Sequence, residues 1–96
     1  MSDFLNAAAA RLNEKASGAD FDGTAKFDVE NEGAIMFDAG GARVGDEEAD
    51  VTLSSDAETF QSIFDGDINP TSAFMTGKLK IDGDMGMAMK LASVLS

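Results

Sequence analysis

The chain has 96 residues, with 18 acids against 7 bases, a formal net charge of −11, and neither His nor Cys. That length suits one domain around one core, spanning 1–96, and the charge repels phosphate backbones, which excludes nucleic acid as a partner and disfavours tight docking on anionic lipid. Without His or Cys, no Ser-His-Asp or Cys-His nucleophile system can be assembled, and the usual zinc and iron–sulfur ligand sets are missing.

Residues 3–16 read as a helix. Ser2 or Asp3 can cap its first turn, and Phe4, Leu5, Ala8, Ala9 and Leu12 recur on one face. The run from Ser17 to Gly23, with two Gly and two Asp, breaks it. In 24–30, Ala25, Phe27 and Val29 alternate with Lys26, Asp28 and Glu30, the period of a strand with one dry face. Asn31-Glu32-Gly33 is a turn, and 34–38 is a second strand with Ile35 and Phe37 on one face. Gly40-Gly41 marks a hairpin into a short strand at 42–44. Asp46, Glu47 and Glu48 form a solvated bend before a fourth strand, where Ala49, Val51 and Leu53 alternate with polar residues.

At Ser55 the period changes. Ser55 and Glu58 have capping-box spacing ahead of a helix over 56–65, stopped by Gly66. Asn69-Pro70 pairs an N-cap with Pro at the first helical position and opens a short helix that ends at Gly77. Residues 78–82 supply a fifth strand with Leu79 and Ile81 inward, Gly83 turns the chain, and Asp84 caps a last helix to about Leu95. Nearly every strand is polar on its second face, which predicts helices on one side of the sheet and water on the other. Ala34 and Met36 are the exception, an exposed apolar edge able to support a dimer.

The last helix is apolar around most of its circumference, with only Gly86, Lys90 and Ser93 available for a polar stripe. Such a helix at the edge of a small protein buries two flanks or contacts something apolar that is not protein. Three of the six Met alternate here and Met75 precedes them; unbranched, polarizable side chains conform to variable apolar guests, although a Met-rich core fits the same composition. All seven aromatics are Phe, so the interior has no polar ring atom to satisfy. The expectation is a hydrophobic cavity that holds a lipid, without catalysis and without a cofactor or metal.

Other motifs carry less. Asp65-Gly66-Asp67-Ile68-Asn69 starts like a calcium loop, but Pro70 stands at its sixth position and Thr76 at its twelfth; a loop from Asp20 fails in the same two places, at Ala25 and Asn31. Asp82 and Asp84 read as a strand end and a helix cap, not as a catalytic pair. No P-loop or dinucleotide fingerprint occurs. Lys78 and Lys80 share a strand face that could meet a lipid head group or phosphate, although ordinary solvated lysines fit the pattern better. Asp3 stands where a secretory signal needs bases, no apolar run approaches the ~18 residues of a membrane span, and Ser93-Val94-Leu95-Ser96 matches no retention or peroxisomal signal. The expected location is cytoplasmic.

The stretch Ala49 to Leu95 resembles the sterol carrier protein 2 (sterol-binding) domain. The matching segments are Ala49-Asp50-Val51-Thr52-Leu53-Ser54 with Phe60, Ile63 and Gly66, then Gly66-Asp67-Ile68-Asn69-Pro70 with Ala73 to Ile81, then Gly83-Asp84-Met85-Gly86-Met87-Ala88-Met89-Lys90-Leu91. A looser match reaches back to about Gly23. The resemblance implies an α/β (α+β) fold, with a five-stranded, mostly antiparallel sheet and helices on one face. It implies a tunnel between sheet and helices for fatty acid, acyl-CoA, sterol or phospholipid, and transfer or presentation of that lipid, with transient membrane contact or a lipid-metabolising enzyme as partner. By position it places Phe37, Val51, Phe60, Phe64, Phe74, Met75, Ile81, Met85, Met89 and Leu91 near the ligand. The helical region before the first strand is short, which thins one wall. The alternative is an accessory protein-interaction module of the same fold without a ligand.

Overall fold

The computed structural model describes residues 3–15, 21 and 23–95. Its elements are α1 (Asp3–Lys15), β1 (Ala25–Val29), β2 (Gly33–Asp38), β3 (Gly41–Val44), β4 (Val51–Ser55), α2 (Ala57–Asp65), α3 (Pro70–Met75), β5 (Lys80–Gly83) and α4 (Met85–Leu95). The strands form one sheet in the order β3-β2-β1-β4-β5. All neighbouring pairs are antiparallel except β1 with β4, which run parallel. This is the α+β, mostly antiparallel architecture expected from the alternation. The expected Ser2 cap and most of the breaker run at 17–23 lie outside the described residues.

Register explains the single dry face. Ala25 and Phe27 pair with Phe37 and Ile35 on one side and with Val51 and Leu53 on the other, so their side chains share the inner surface. All four helices bury against that surface: Leu5, Ala8, Ala9 and Leu12 from α1, Phe60, Ile63 and Phe64 from α2, Ala73 from α3, and Ala88, Leu91 and Leu95 from α4. At the centre Phe27 meets the rings of Phe60 and Phe64 edge-on, with centroids 5.8 Å away in each case, and Phe60 stacks on Phe64. Edge-to-face geometry sets the positive ring edge on the negative face and adds to the area buried. The Asn13 side chain holds α1 over the sheet edge: its amide nitrogen donates to the Ala42 carbonyl at 3.0 Å and its oxygen accepts from the Ala42 amide at 2.8 Å.

Three local expectations need correction. Ser55 does not cap α2; it ends β4, and its hydroxyl donates to the Lys78 carbonyl at 2.6 Å. The cap is Asp56, whose carboxylate accepts from the Thr59 amide at 2.7 Å, and Gly66 closes the helix in the left-handed conformation. β5 starts at Lys80 and not at 78, because the Lys78 and Leu79 amides both donate to the Ala73 carbonyl and stay tied to the end of α3. Ala34 and Met36 point to the outer face as their register requires, yet both are buried. The segment from Gly45 to Asp50, which carries the chain from β3 to β4, lies over them: the Glu47 amide donates to the Met36 sulfur at 3.4 Å, and Asp46 pairs with Lys26 of β1 at 3.0 Å. No apolar dimer edge exists there.

Candidate functional site

Helix α4 divides its apolar residues between two flanks. Ala88, Leu91 and Leu95 recur at i, i+3, i+7 and are fully buried against the sheet. Met85, Ala88, Met89 and Ala92 form a second stripe, at i, i+3, i+4 and i+7, on the side that faces α3. Along that side runs a narrow apolar crevice of about 40 Å³, with Leu53, Leu79 and Ile81 from the sheet side, Pro70, Thr71 and Phe74 from α3, and the second stripe of α4. The Asn69 cap and Pro70 start α3 at the point that brings Phe74 over this crevice. Asp84 likewise starts α4, its carboxylate accepting from the Met87 amide at 3.2 Å. Thr71 supplies the one polar side chain of the lining, and no titratable group is among those residues. The arrangement therefore offers dispersion contact and one hydroxyl, with no group placed to move a proton.

The ten sequence-predicted residues divide three ways. Phe74, Ile81, Met85 and Met89 meet at the crevice. Phe37, Val51, Phe60, Phe64 and Leu91 belong to the closed core, each 2% exposed or less. Phe64 also borders a second apolar crevice, about 110 Å³, between α1 and α2; Phe4, Ala7 and Ala8 line it, and the Arg11–Asp65 ion pair at 2.9 Å stands at its rim. Met75 points to solvent, 79% exposed, because two helical steps carry it to the face of α3 opposite the buried Ala73. Neither crevice is a continuous tunnel beneath residues 84–95.

Leu53, Pro70, Thr71, Leu79, Ala88 and Ala92 complete the crevice without having been predicted as ligand contacts. For Ala88 and Ala92 the signal was present, since both share helical spacing with Met85 and Met89. Lys78 and Lys80 do not reach this mouth. They line a broad polar depression of about 540 Å³ with Asp28, Glu30, Asp56 and Glu58, whose charges suit water and not an acyl chain. The perturbed carboxylates are likewise absent from the lining of the crevice. Hydrogen bonds from Thr59 hold the Asp56 carboxyl below its usual range, with Lys78 adding to the effect. A bond from Arg43, and then one from the Gly40 amide, do the same for Asp38.

Comparison with known proteins gives this architecture a family. A family model described as the SCP-2 sterol transfer family matches residues 4–96. Hydroxysteroid dehydrogenase-like protein 2 of Danio rerio is 43% identical over 82 residues, covering 77% of this chain and 20% of that protein. The chain thus spans about a fifth of the length of that relative. Among solved structures, the sterol carrier protein domain 2 of Helicoverpa armigera superposes with a TM-score of 0.77 at 29% identity, over 96% of this chain and 85% of its own. Palmitated SCP2L2 of Aedes aegypti shares the fold with a TM-score of 0.79 at 20% identity, over 99% of this chain and 95% of its own. With a family model matched over nearly its whole length, the chain belongs to the SCP-2 sterol transfer family.

Proposed function

We propose that the chain binds one non-polar lipid along the crevice between α3, α4 and the sheet, and carries it between membranes or presents it to a lipid-metabolising enzyme. The observation that carries this reading is the lining itself: an almost wholly apolar cleft, one wall of which is a helix edged with thioethers. Family membership supports lipid binding in general. The palmitate of the Aedes aegypti relative supports an acyl chain as the guest. The name and greater length of the Danio rerio relative support presentation to an enzyme. Fatty acid, acyl-CoA, sterol and phospholipid all supply the required hydrocarbon.

The magnitudes favour a guest that makes its own room. A pocket for a small ligand needs roughly 300 Å³, against about 40 Å³ in the crevice. Lifting Leu91 and Leu95 off the sheet would cost about 3–6 kcal/mol at 1.5–3 kcal/mol for each side chain. Ten buried methylenes of an acyl chain would return about 8 kcal/mol at 0.8 kcal/mol each. Insertion therefore exceeds the cost of lifting those two anchors, provided that the chain is long. Short acyl chains should bind poorly, and affinity should rise steeply with chain length.

Titration of the purified protein with a fluorescent fatty acid, displaced by unlabelled fatty acids of increasing length and by a sterol, tests the reading. The expected result is one site per chain, with affinity growing with each methylene. If no lipid class displaces or binds the probe, the carrier function is wrong and the accessory-module alternative takes its place.

A further inference from the structure

Two observations go beyond the crevice itself and point to the same part of the chain. The first is the placement of exposed apolar side chains. Of the five large hydrophobic residues exposed among the described residues, Phe74, Met75, Met85 and Met89 stand on α3 and α4; the fifth, Val44, is on edge strand β3. A ligand in the crevice does not account for Met75, the most exposed of them, which lines no part of it. The second is charge. Residues 1–69 contain 16 acids and four bases, whereas residues 70–96 contain two acids and three bases. Helix α3 has no charged residue, and Lys90 is the one charge on α4. In a chain this acidic, the segment that carries α3 and α4 is the part relieved of acids.

We propose that this face docks on the surface of a zwitterionic phospholipid bilayer, with Phe74, Met75, Met85 and Met89 entering the interfacial layer and Lys90 at the level of the phosphates. The proposal rests on the lipid-carrier reading and adds the surface through which the lipid passes. A bilayer is the occupant because the patch borders the crevice through which the lipid would pass, and its Met side chains suit a fluid, irregular contact. Of the region's two acids, Asp84 is turned to the α4 amides as a cap. The molecule measures 31 × 30 × 23 Å, so acids on the far side lie beyond the screening length of about 8 Å at physiological salt. The acidity of the whole chain still opposes an anionic membrane, which is why the partner is a zwitterionic one.

Co-sedimentation of the full chain with phosphatidylcholine vesicles tests the proposal, alongside fluorescent fatty-acid binding without vesicles. The wild type is expected to sediment with vesicles. Met75→Asp should weaken that association roughly tenfold, the change expected from losing one inserted side chain. Lys90→Glu should weaken it in the same direction, and Val44→Asp should leave it unchanged. None of these three residues lines the crevice, so fatty-acid binding in solution should match the wild type in all of them. Failure of the wild type to sediment would overturn the proposal, as would Met75→Asp sedimenting normally or Val44→Asp losing as much. Absence of fatty-acid binding in every protein, wild type included, would refute the carrier reading through a separate readout.

Discussion

Met89 and Leu91 are two residues apart on α4, and the structure gives them opposite duties. Met89 is 60% exposed at the crevice mouth, and Leu91 is 0% exposed against the sheet. Met89→Gln keeps length and helix propensity but removes an apolar contact. If a bound acyl chain covers the exposed part of Met89, the substitution forfeits about 60% of a full burial term of 1.5–3 kcal/mol, or about 1–2 kcal/mol. That corresponds to roughly five- to thirtyfold weaker binding. Its effect on folding should stay near 1 kcal/mol or below, since less than half of the side chain is buried without a ligand.

Leu91→Ala should behave in the reverse way. Truncating a fully buried Leu costs about 2–5 kcal/mol, which in a domain of this size lowers Tm by roughly 10 °C or more. Displacement of a fluorescent fatty acid measures the first effect and urea unfolding the second. The reasoning fails if Met89→Gln binds lipid like the wild type, or if it destabilises the fold as much as Leu91→Ala does.

Two further substitutions probe how the site is held. Gly83 joins β5 to α4 at φ +107°, and a Cβ there would collide with the Asp50 carbonyl oxygen and come within 3.0 Å of the Val51 Cα. Gly83→Ala should therefore cost about 2 kcal/mol or more, read by urea unfolding, and should weaken fatty-acid binding as well because it displaces the start of α4. Asp56 has its folded pKa lowered, chiefly by hydrogen bonds from Thr59. Its contribution to stability is complete above the unfolded value of about 3.9 and is lost as pH falls through the lower folded value. Asp56→Asn keeps a capping oxygen without the titration, so the stability advantage of the wild type over this variant should shrink below about pH 4. An advantage that grows in acid would contradict the cap geometry.

The sheet was legible because its strands are local statements: Ala25, Phe27 and Val29 declare one dry face by alternation alone, and Val51 and Leu53 do the same. Helix boundaries at Asn69-Pro70 and Gly66 followed from chemistry that acts within one turn. What escaped was set by distant parts of the chain. Nothing near Met36 announces that residues 45–50 will lie over it. Ser55 and Asp56 are both competent caps, and the choice was made by the Lys78 carbonyl, 23 residues on, which takes the Ser55 hydroxyl. The candidate site divided in the same way. Met85 and Met89 were readable from their spacing on α4. Whether Phe60 and Phe64 line a space or fill one depends on how the rings pack together, and their edge-on contacts with Phe27 fill the space between them.

That filling follows from energy. At about 24 cal/mol per Å³, a standing pocket of roughly 300 Å³ would cost about 7 kcal/mol, comparable to the whole stability of a small domain. The same coefficient applied to a crevice of about 40 Å³ gives about 1 kcal/mol. A chain of 96 residues can bear the second figure and not the first. If the chain carries lipid as proposed, a closed core with a helix that lifts is the more stable arrangement, and a guest that returns less than the burial of Leu91 and Leu95 would not displace α4. A variant with one of those two anchors weakened, such as Leu95→Val, should for that reason accept shorter acyl chains than the wild type while unfolding at lower urea. If it showed the same chain-length threshold as the wild type in the displacement assay, α4 would not be the wall that moves.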